Sequence, residues 1–190
     1  QIALHGLEQN HGVFCYWGLP SRSQGLPWRI DSLKALRQPV LPMELSDSER
    51  PTPGVKIEAL TLSSRDVMRF LRVSYTIYKD DRNWVAPLLQ DLKKVFTTAN
   101  PLFEHAEMQI WVACSEGRDI GRIAALIDRN YCKTAAEPAC FFGFFECVNN
   151  PAAARALVDS ASQWGKSKGF NRLMGPMNPT TNDECGLLVE

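Results

Sequence analysis

The sequence predicts an α/β protein with a mixed central sheet flanked by helices. Two observations lead to this fold class. From residue 55 onward, segments with a period of two alternate with segments of helical period, and one segment is apolar on both of its faces. The chain has 190 residues, of which 45% are hydrophobic, as in a folded globular protein with one domain and an appendage.

Residues 1–54 are predicted to form a loosely ordered, Pro-rich N-terminal extension. Six of the twelve prolines fall in this part of the chain, and it shows no sustained period. Residues 55–190 are predicted to form the folded domain.

The first half of this domain is predicted as a strand, two helices and a hairpin. Residues 55–61 alternate as a strand, and Ser63 offers an N-cap for a helix with Val67, Phe70 and Leu71 on its apolar face. A shorter helix is expected at 88–98. Two alternating segments at 108–113 and 120–127 are joined by Glu116 and Gly117, which is typical of a hairpin turn.

The second half is predicted to contain the central strand and the clearest helix. A loop at 128–138 leads to a strand at 141–148, which is apolar on both faces and therefore expected in the middle of the sheet. Asn150 is a good N-cap and Pro151 a good first residue for the next helix, which Gly169 ends. Residues 170–177 are expected to form a strand, 178–181 a loop, and 182–190 the start of a further helix.

Charge and cysteine content exclude several classes of function. Lys plus Arg and Asp plus Glu both number 21, so the balanced charge argues against nucleic acid as a partner and against a polybasic membrane anchor. The apolar runs are far shorter than the roughly 18–20 residues of a membrane span. The six cysteines have no C-x-x-C spacing and form no metal-ligand pair with the three histidines. We therefore expect no metal, reduced thiols and a cytoplasmic location.

Three features are candidates for chemistry. Glu146 lies near the end of an aromatic strand, where it either acts as a general base or is paired with Arg122 or Arg155 or turned to solvent. His105 has Glu104 and Glu107 beside it, which suggests a metal or acid–base cluster, but on a strand only Glu107 shares its face, so a surface hydrogen bond is the preferred interpretation. The junction at 146–151 places free N–H groups and a positive helix dipole where a phosphate can bind, although every α/β protein has several such junctions.

Four motifs together resemble an uncharacterised bacterial branch of the GNAT acyltransferase superfamily. The resemblance extends over residues 55–190. The motifs are NPLFEHAE at 100–107, GRIAA at 121–125 with IDRN at 127–130, GFFE at 143–146, and GPMNPTTNDECGLL at 175–188. Family members continue past this point, so the resemblance implies a domain that is incomplete at its C-terminus.

The resemblance implies a site for acetyl-CoA or another acyl-CoA in the cleft where the strand at 141–148 splays from that at 170–177. In GNAT enzymes the first strand bonds pantetheine and the next helix receives the pyrophosphate. The matching residues are Cys147, Val148, Asn149 and Asn150, with Asn178 assisting from the following strand. Glu146 matches the base that takes a proton from the acceptor, a small-molecule or peptide amine.

An alternative is a non-catalytic GNAT-like module that binds another small molecule or a protein. Asn149-Asn150-Pro151 stands where GNAT enzymes have a Gln/Arg-x-x-Gly-x-Gly/Ala loop, and residues 180–190 contain no general-acid tyrosine. These departures favour the module, whereas Glu146 and Asn178 favour the enzyme.

Overall fold

The computed structural model describes residues 13–15, 54–136, 138–180 and 183–186. The main sheet contains β1 (Val13–Cys15), β2 (Val55–Leu60), β3 (Ala106–Ser115), β4 (Arg118–Asp128), β5 (Cys140–Cys147) and β6 (Leu173–Gly175). A separate pair is formed by β7 (Met177–Asn178) and β8 (Glu184–Cys185). The helices are α1 (Ser64–Ile77), α2 (Leu89–Val95), α3 (Arg129–Thr134) and α4 (Pro151–Ser167).

The main sheet is mixed, and its strand order is β1-β6-β5-β4-β3-β2. Strands β2 to β5 pair with one another antiparallel, whereas β6 runs parallel to both β5 and β1. The predicted α/β fold class, with a mixed sheet flanked by helices, is therefore confirmed. The central position predicted for the strand at 141–148 is also confirmed, because β5 lies between β4 and β6.

The hairpin of β3 and β4 turns at the residues that the sequence indicates. Glu116 and Gly117 both have positive φ, at 51° and 73°, as a tight two-residue hairpin turn requires. The hairpin is long, pairing Ala106 with Asp128 at one end and Ser115 with Arg118 at the other. Helices α1 and α4 both pack against this hairpin, on opposite faces of the sheet.

The two faces of the sheet bury separate clusters. One face packs against α4 through residues such as Leu157 and Ala161, and the other packs against α1 through Phe70 and Leu71. The period of two assigns neighbouring β3 residues to opposite faces, with Trp111 towards α4 and Val112 towards α1.

The structure corrects three predicted elements. The predicted loop at 128–138 contains α3, because the Asp128 side chain accepts hydrogen bonds from two backbone N–H groups and caps it. The predicted strand at 170–177 is shorter and interrupted, since β6 and β7 are separate strands. The predicted helix at 182–190 is wrong where it is described, because Glu184 and Cys185 form β8 against β7.

The predicted N-terminal extension falls mainly outside the described residues, apart from β1, and stays a prediction. None of the helices in the described ranges is long and apolar enough to cross a membrane.

Candidate functional site

Strands β5 and β6 part after two paired residues. Cys140 and Phe141 are in register with Leu173 and Met174, whereas β5 continues to Cys147. We call the place where this pairing ends the opening, which is where the resemblance implies a cleft. Strand β7 packs against β5 there, with the Met177 carbonyl beside Gly143.

A bulge in β5 reorients the residues that follow it. Phe144 has a positive φ of 49°, and the register with β4 shifts between Arg122 and Ala124. Phe142 packs in the cluster facing α4, but Phe144 packs in the cluster facing α1. Strict alternation would leave Phe144 and Glu146 on the α4 face. The bulge instead brings Glu146 towards α1.

Glu146 forms an ion pair with a buried arginine. The Arg122 Nε donates to Glu146 Oε2 at 2.6 Å, and the two side chains are 5% and 22% exposed. The Arg122 Nη1 also donates to the α1 carbonyl oxygens of Phe70 and Leu71. The guanidinium lies 5.1 Å from the centre of the Phe70 ring. Of the roles that the sequence leaves open for Glu146, pairing with Arg122 is the one observed.

Tyr78 is a candidate that sequence reasoning missed. It caps the C-terminus of α1, and its ring packs against Trp84 at 5.4 Å between centroids. Burial raises the pKa of its phenol, and the negative charge of Glu146 raises it further. The helical period is the signal that could have found it, because Leu71 and Tyr78 are seven residues apart and lie on one face of α1.

Asn178 reaches β5 directly. Its Oδ1 accepts a hydrogen bond from the Phe144 backbone N–H at 2.6 Å, so the side chain caps the bulge. A Cβ on Gly143 would lie only 1.6 Å from the Met177 carbonyl oxygen, so glycine is required for this close approach. The structure brings Asn178 to the opening. Its side chain occupies the Phe144 N–H, which is one of the β5 donors at the opening.

The start of α4 has most of its donors engaged within the chain. The Asn150 side chain accepts from the Ala153 N–H at 3.1 Å, and the Ala154 N–H donates to the Asn150 carbonyl. Pro151 has no N–H to offer. Of the first-turn amides in the described chain, this leaves only that of Ala152 without a hydrogen bond. A pyrophosphate bound at this helix start would compete with the Asn150 side chain for the Ala153 N–H.

The remaining predicted cofactor residues are Cys147 at the end of β5 and Val148 and Asn149 between β5 and α4. The Val148 N–H donates to the Ile120 carbonyl at 2.9 Å, and Asn149 is exposed. Cys147 is partly buried beside Gly121, and burial raises the pKa of its thiol to about 11. The thiol is therefore protonated at neutral pH and is not a nucleophile there.

His105 does not combine with its acidic neighbours into an acid–base site. Its Nδ1 lies 3.0 Å from Asp128 Oδ1, whereas Glu107 is paired with Arg129 and Lys168. The surface hydrogen bond expected for His105 is thus observed, with Asp128 as the partner. Across the described ranges, no group of three or more His, Cys, Asp or Glu side chains could hold a metal ion.

Two curated bacterial proteins are similar to the chain in sequence. Protein YghO of Escherichia coli is 33% identical over 129 residues, which cover 68% of this chain. A protein of Caulobacter vibrioides named bacterial ceramide synthase is 34% identical over 126 residues, or 65% of this chain. The chain spans about a third of the length of each of these relatives, 33% in both cases. No model of a known protein family matches the chain.

Solved structures of acetyltransferases are also similar to part of the chain. A tandem GNAT protein from the clavulanic acid biosynthesis pathway has a TM-score of 0.48 at 16% identity, covering 64% of this chain and 36% of its own. An aminoglycoside acetyltransferase from an uncultured soil metagenomic sample has a TM-score of 0.45 at 16% identity, with 65% and 78% covered.

Proposed function

We propose that the chain is part of a GNAT-type N-acyltransferase that moves an acyl group from an acyl-coenzyme A to an amine. The observation that carries this proposal is the 34% identity with the bacterial ceramide synthase over 126 residues. A ceramide is the amide of a fatty acid with a long-chain amino alcohol, so its synthesis joins an acyl group to an amine nitrogen. The four motifs that resemble the GNAT superfamily support the same reaction class.

In this reaction the amine nitrogen attacks the thioester carbonyl carbon. A C–N bond forms, the C–S bond breaks, and coenzyme A leaves as its thiol. An ammonium substrate loses two protons in the process, one before attack and one that balances the leaving sulfur. We assign the first to Glu146, whose Oε1 has no hydrogen bond within the described residues while Oε2 is held by Arg122. The second amine proton passes to the sulfur. We assign this relay to the Tyr78 phenol, which gives its proton to the leaving sulfur as it takes the second proton from the amine nitrogen, so that it is neutral before and after the reaction.

The second candidate is the non-catalytic module, and the engaged donors favour it. Asn178 occupies the Phe144 N–H, Asn150 occupies the Ala153 N–H, and Arg122 holds Glu146. A site whose polar groups are already satisfied gains less from a ligand that competes for them.

Ligand binding and turnover by the same protein separate the two candidates. The full chain is heated with and without acetyl-CoA or palmitoyl-CoA, and an acyl-CoA at 100 times its dissociation constant should stabilise the fold by about 2.7 kcal/mol. Palmitoyl-CoA and a long-chain amino alcohol are then supplied together, and thiol release and amide formation are measured by a thiol reagent and mass spectrometry.

Two matched variants test the role of the carboxylate. Glu146→Gln keeps the size of the side chain but cannot take the proton, so the rate should fall by about 10²–10⁴ with acyl-CoA affinity unchanged. Glu104→Gln makes the same chemical change at an exposed position and should retain the rate. Absence of both acyl-CoA binding and product would favour the non-catalytic module. Full activity of Glu146→Gln would remove Glu146 as the base.

A further inference from the structure

The segment between α1 and α2 exposes two large apolar side chains. Val85 is 86% exposed and Leu88 is 72% exposed, and they are the exposed large hydrophobic residues of the described chain. We call this pair the apolar tip. Single exposed apolar residues are common on protein surfaces, but a cluster of them marks a site of interaction.

The apolar tip is held outward by contacts behind it. The Tyr75 hydroxyl donates to the Pro87 carbonyl, and Trp84 packs edge-on against the Tyr75 ring at 5.1 Å. These two contacts tie the segment to α1 at Trp84, just before Val85, and at Pro87, just before Leu88. The apolar tip therefore keeps its side chains in solvent without a partner from the described chain.

A basic groove is formed by residues of α1 and α2, and Leu89 in its lining directly follows Leu88 of the apolar tip. It consists of two hollows of about 360 and 430 Å³ that share Met68 in their lining. Arg69 is engaged by Asp119 and Glu58, so its charge is compensated. Lys94 pairs with Asp91, but both side chains are exposed and such pairs are weak. The basic side chains that line the groove besides Arg69 are Arg65, Arg72, Lys93 and Lys94.

The charge of this surface differs from that of the whole chain. Of the five basic side chains that line the groove, only Arg69 and Lys94 form ion pairs within the described residues, although the complete sequence has a formal net charge of zero. The expectation of no membrane contact rested on that total. The total averages over the chain and cannot report a local excess on one helical layer.

We propose that this surface docks onto an anionic lipid bilayer. Phosphate-bearing headgroups match the arginines and lysines of the basic groove, and the apolar tip enters the boundary between headgroups and acyl chains. Trp84 lies beside the apolar tip and belongs to the residue type enriched at this depth. The combination of apolar side chains and cations matches an anionic bilayer, which has charged headgroups at its surface and apolar acyl chains beneath them. The proposal does not depend on the acyltransferase function.

Vesicle binding by the full chain tests this docking. The protein is sedimented with vesicles of phosphatidylcholine alone, and with vesicles in which phosphatidylglycerol replaces part of it. We expect binding to the anionic vesicles to be at least about tenfold tighter and to weaken with added salt, because each basic residue near an anionic surface contributes roughly 1 kcal/mol. Inorganic phosphate at millimolar concentration should not compete, since the bilayer and not a free anion is the occupant.

Variants identify the surface that binds. The double variant Val85→Ser with Leu88→Ser, and separately Arg72→Glu, should each weaken binding by about tenfold or more. Val85→Ile with Leu88→Met keeps the tip apolar and should bind as the parent does. Lys166→Glu reverses an exposed charge on α4 and should also bind normally. Unchanged thermal unfolding of each variant shows that the fold is intact.

Three results would overturn the docking. They are equal binding to neutral and anionic vesicles, equal weakening by Lys166→Glu and Arg72→Glu, and absence of binding. Gel filtration adds a fourth. If the parent chain dimerises and the double serine variant does not, a second copy occupies the apolar tip and the proposal is wrong.

Discussion

At the scale of single residues, the pair of Arg122 and Glu146 joins stability to the candidate chemistry. Arg122 is buried, and Glu146 compensates its charge while two α1 carbonyl groups accept hydrogen bonds from its Nη1. A base in this position stays next to a cation throughout the reaction. If Glu146 takes a proton, the α1 carbonyl groups and the Phe70 ring remain to solvate the guanidinium.

Arg122→Ala should lower the free energy of unfolding by about 3–5 kcal/mol, because it leaves the partly buried carboxylate of Glu146 without its cation. Urea unfolding followed by circular dichroism measures the loss. The double variant Arg122→Met with Glu146→Leu should lose less than the single variant, since no unpaired charge remains. Arg82→Ala, at an exposed arginine, should stay within about 0.5 kcal/mol of the parent. If Arg122→Ala lowered the free energy of unfolding by less than about 0.5 kcal/mol, the ion pair would be unimportant for stability.

The buried thiol of Cys140 makes the stability of the fold vary with pH in the alkaline range. Burial raises the pKa of its thiol from 9.0 to about 12 in the folded chain. A raised folded pKa gives stability that is complete below the unfolded pKa and is lost as pH rises towards the folded pKa. Ionisation of this thiol in the unfolded chain should therefore lower the free energy of unfolding by about 2 kcal/mol between pH 8 and 10.5. Denaturant unfolding of the parent and of Cys140→Ala across that range gives the difference. Parallel pH profiles for the two proteins would contradict the assignment.

At the scale of elements, periodicity predicted the long regular segments and failed for the short and irregular ones. The hairpin, α1 and α4 follow from alternation, helical period and the caps at Ser63 and Asn150. The bulge at Phe144 could not be predicted, because a strand that is apolar on both faces shows no alternation to interrupt. Strands β7 and β8 have two residues each, too few for any period. The orientation of Glu146 in the candidate site could not be predicted for the same reason, because it depends on the bulge.

The cap of α4 gives a prediction at this scale. Asn150→Ala removes the acceptor for the Ala153 N–H and should destabilise the fold by about 1 kcal/mol, whereas Asn150→Asp should retain most of the stability. Asn149→Ala alters the exposed neighbouring asparagine and should have little effect. Chemical denaturation of the three variants provides the comparison. An equal effect of Asn149→Ala and Asn150→Ala would mean that the cap contributes nothing of its own.

At the scale of the whole molecule, one sheet connects two apolar cores. Phe70 belongs to the core under α1, where it packs against Phe96 and Phe144, and Leu157 belongs to the core under α4. Strand β5 contributes to both, since the bulge moves Phe144 to one face while Phe142 stays on the other. The two helical layers are therefore coupled through the same backbone.

This coupling predicts a single unfolding transition. Phe70→Ala should cost about 3–5 kcal/mol and Leu157→Ala about 2–5 kcal/mol, because each leaves a cavity in a closely packed core. If the sheet makes the two layers unfold cooperatively, each variant should unfold in one step. The fluorescence of Trp84 beside α1 and that of Trp164 on α4 should then change at the same denaturant concentration. Single-tryptophan versions that retain one of these two residues separate the signals. Divergent midpoints in either variant would mean that the α1 and α4 layers unfold independently, and that β5 does not couple the candidate site to the core beneath α4.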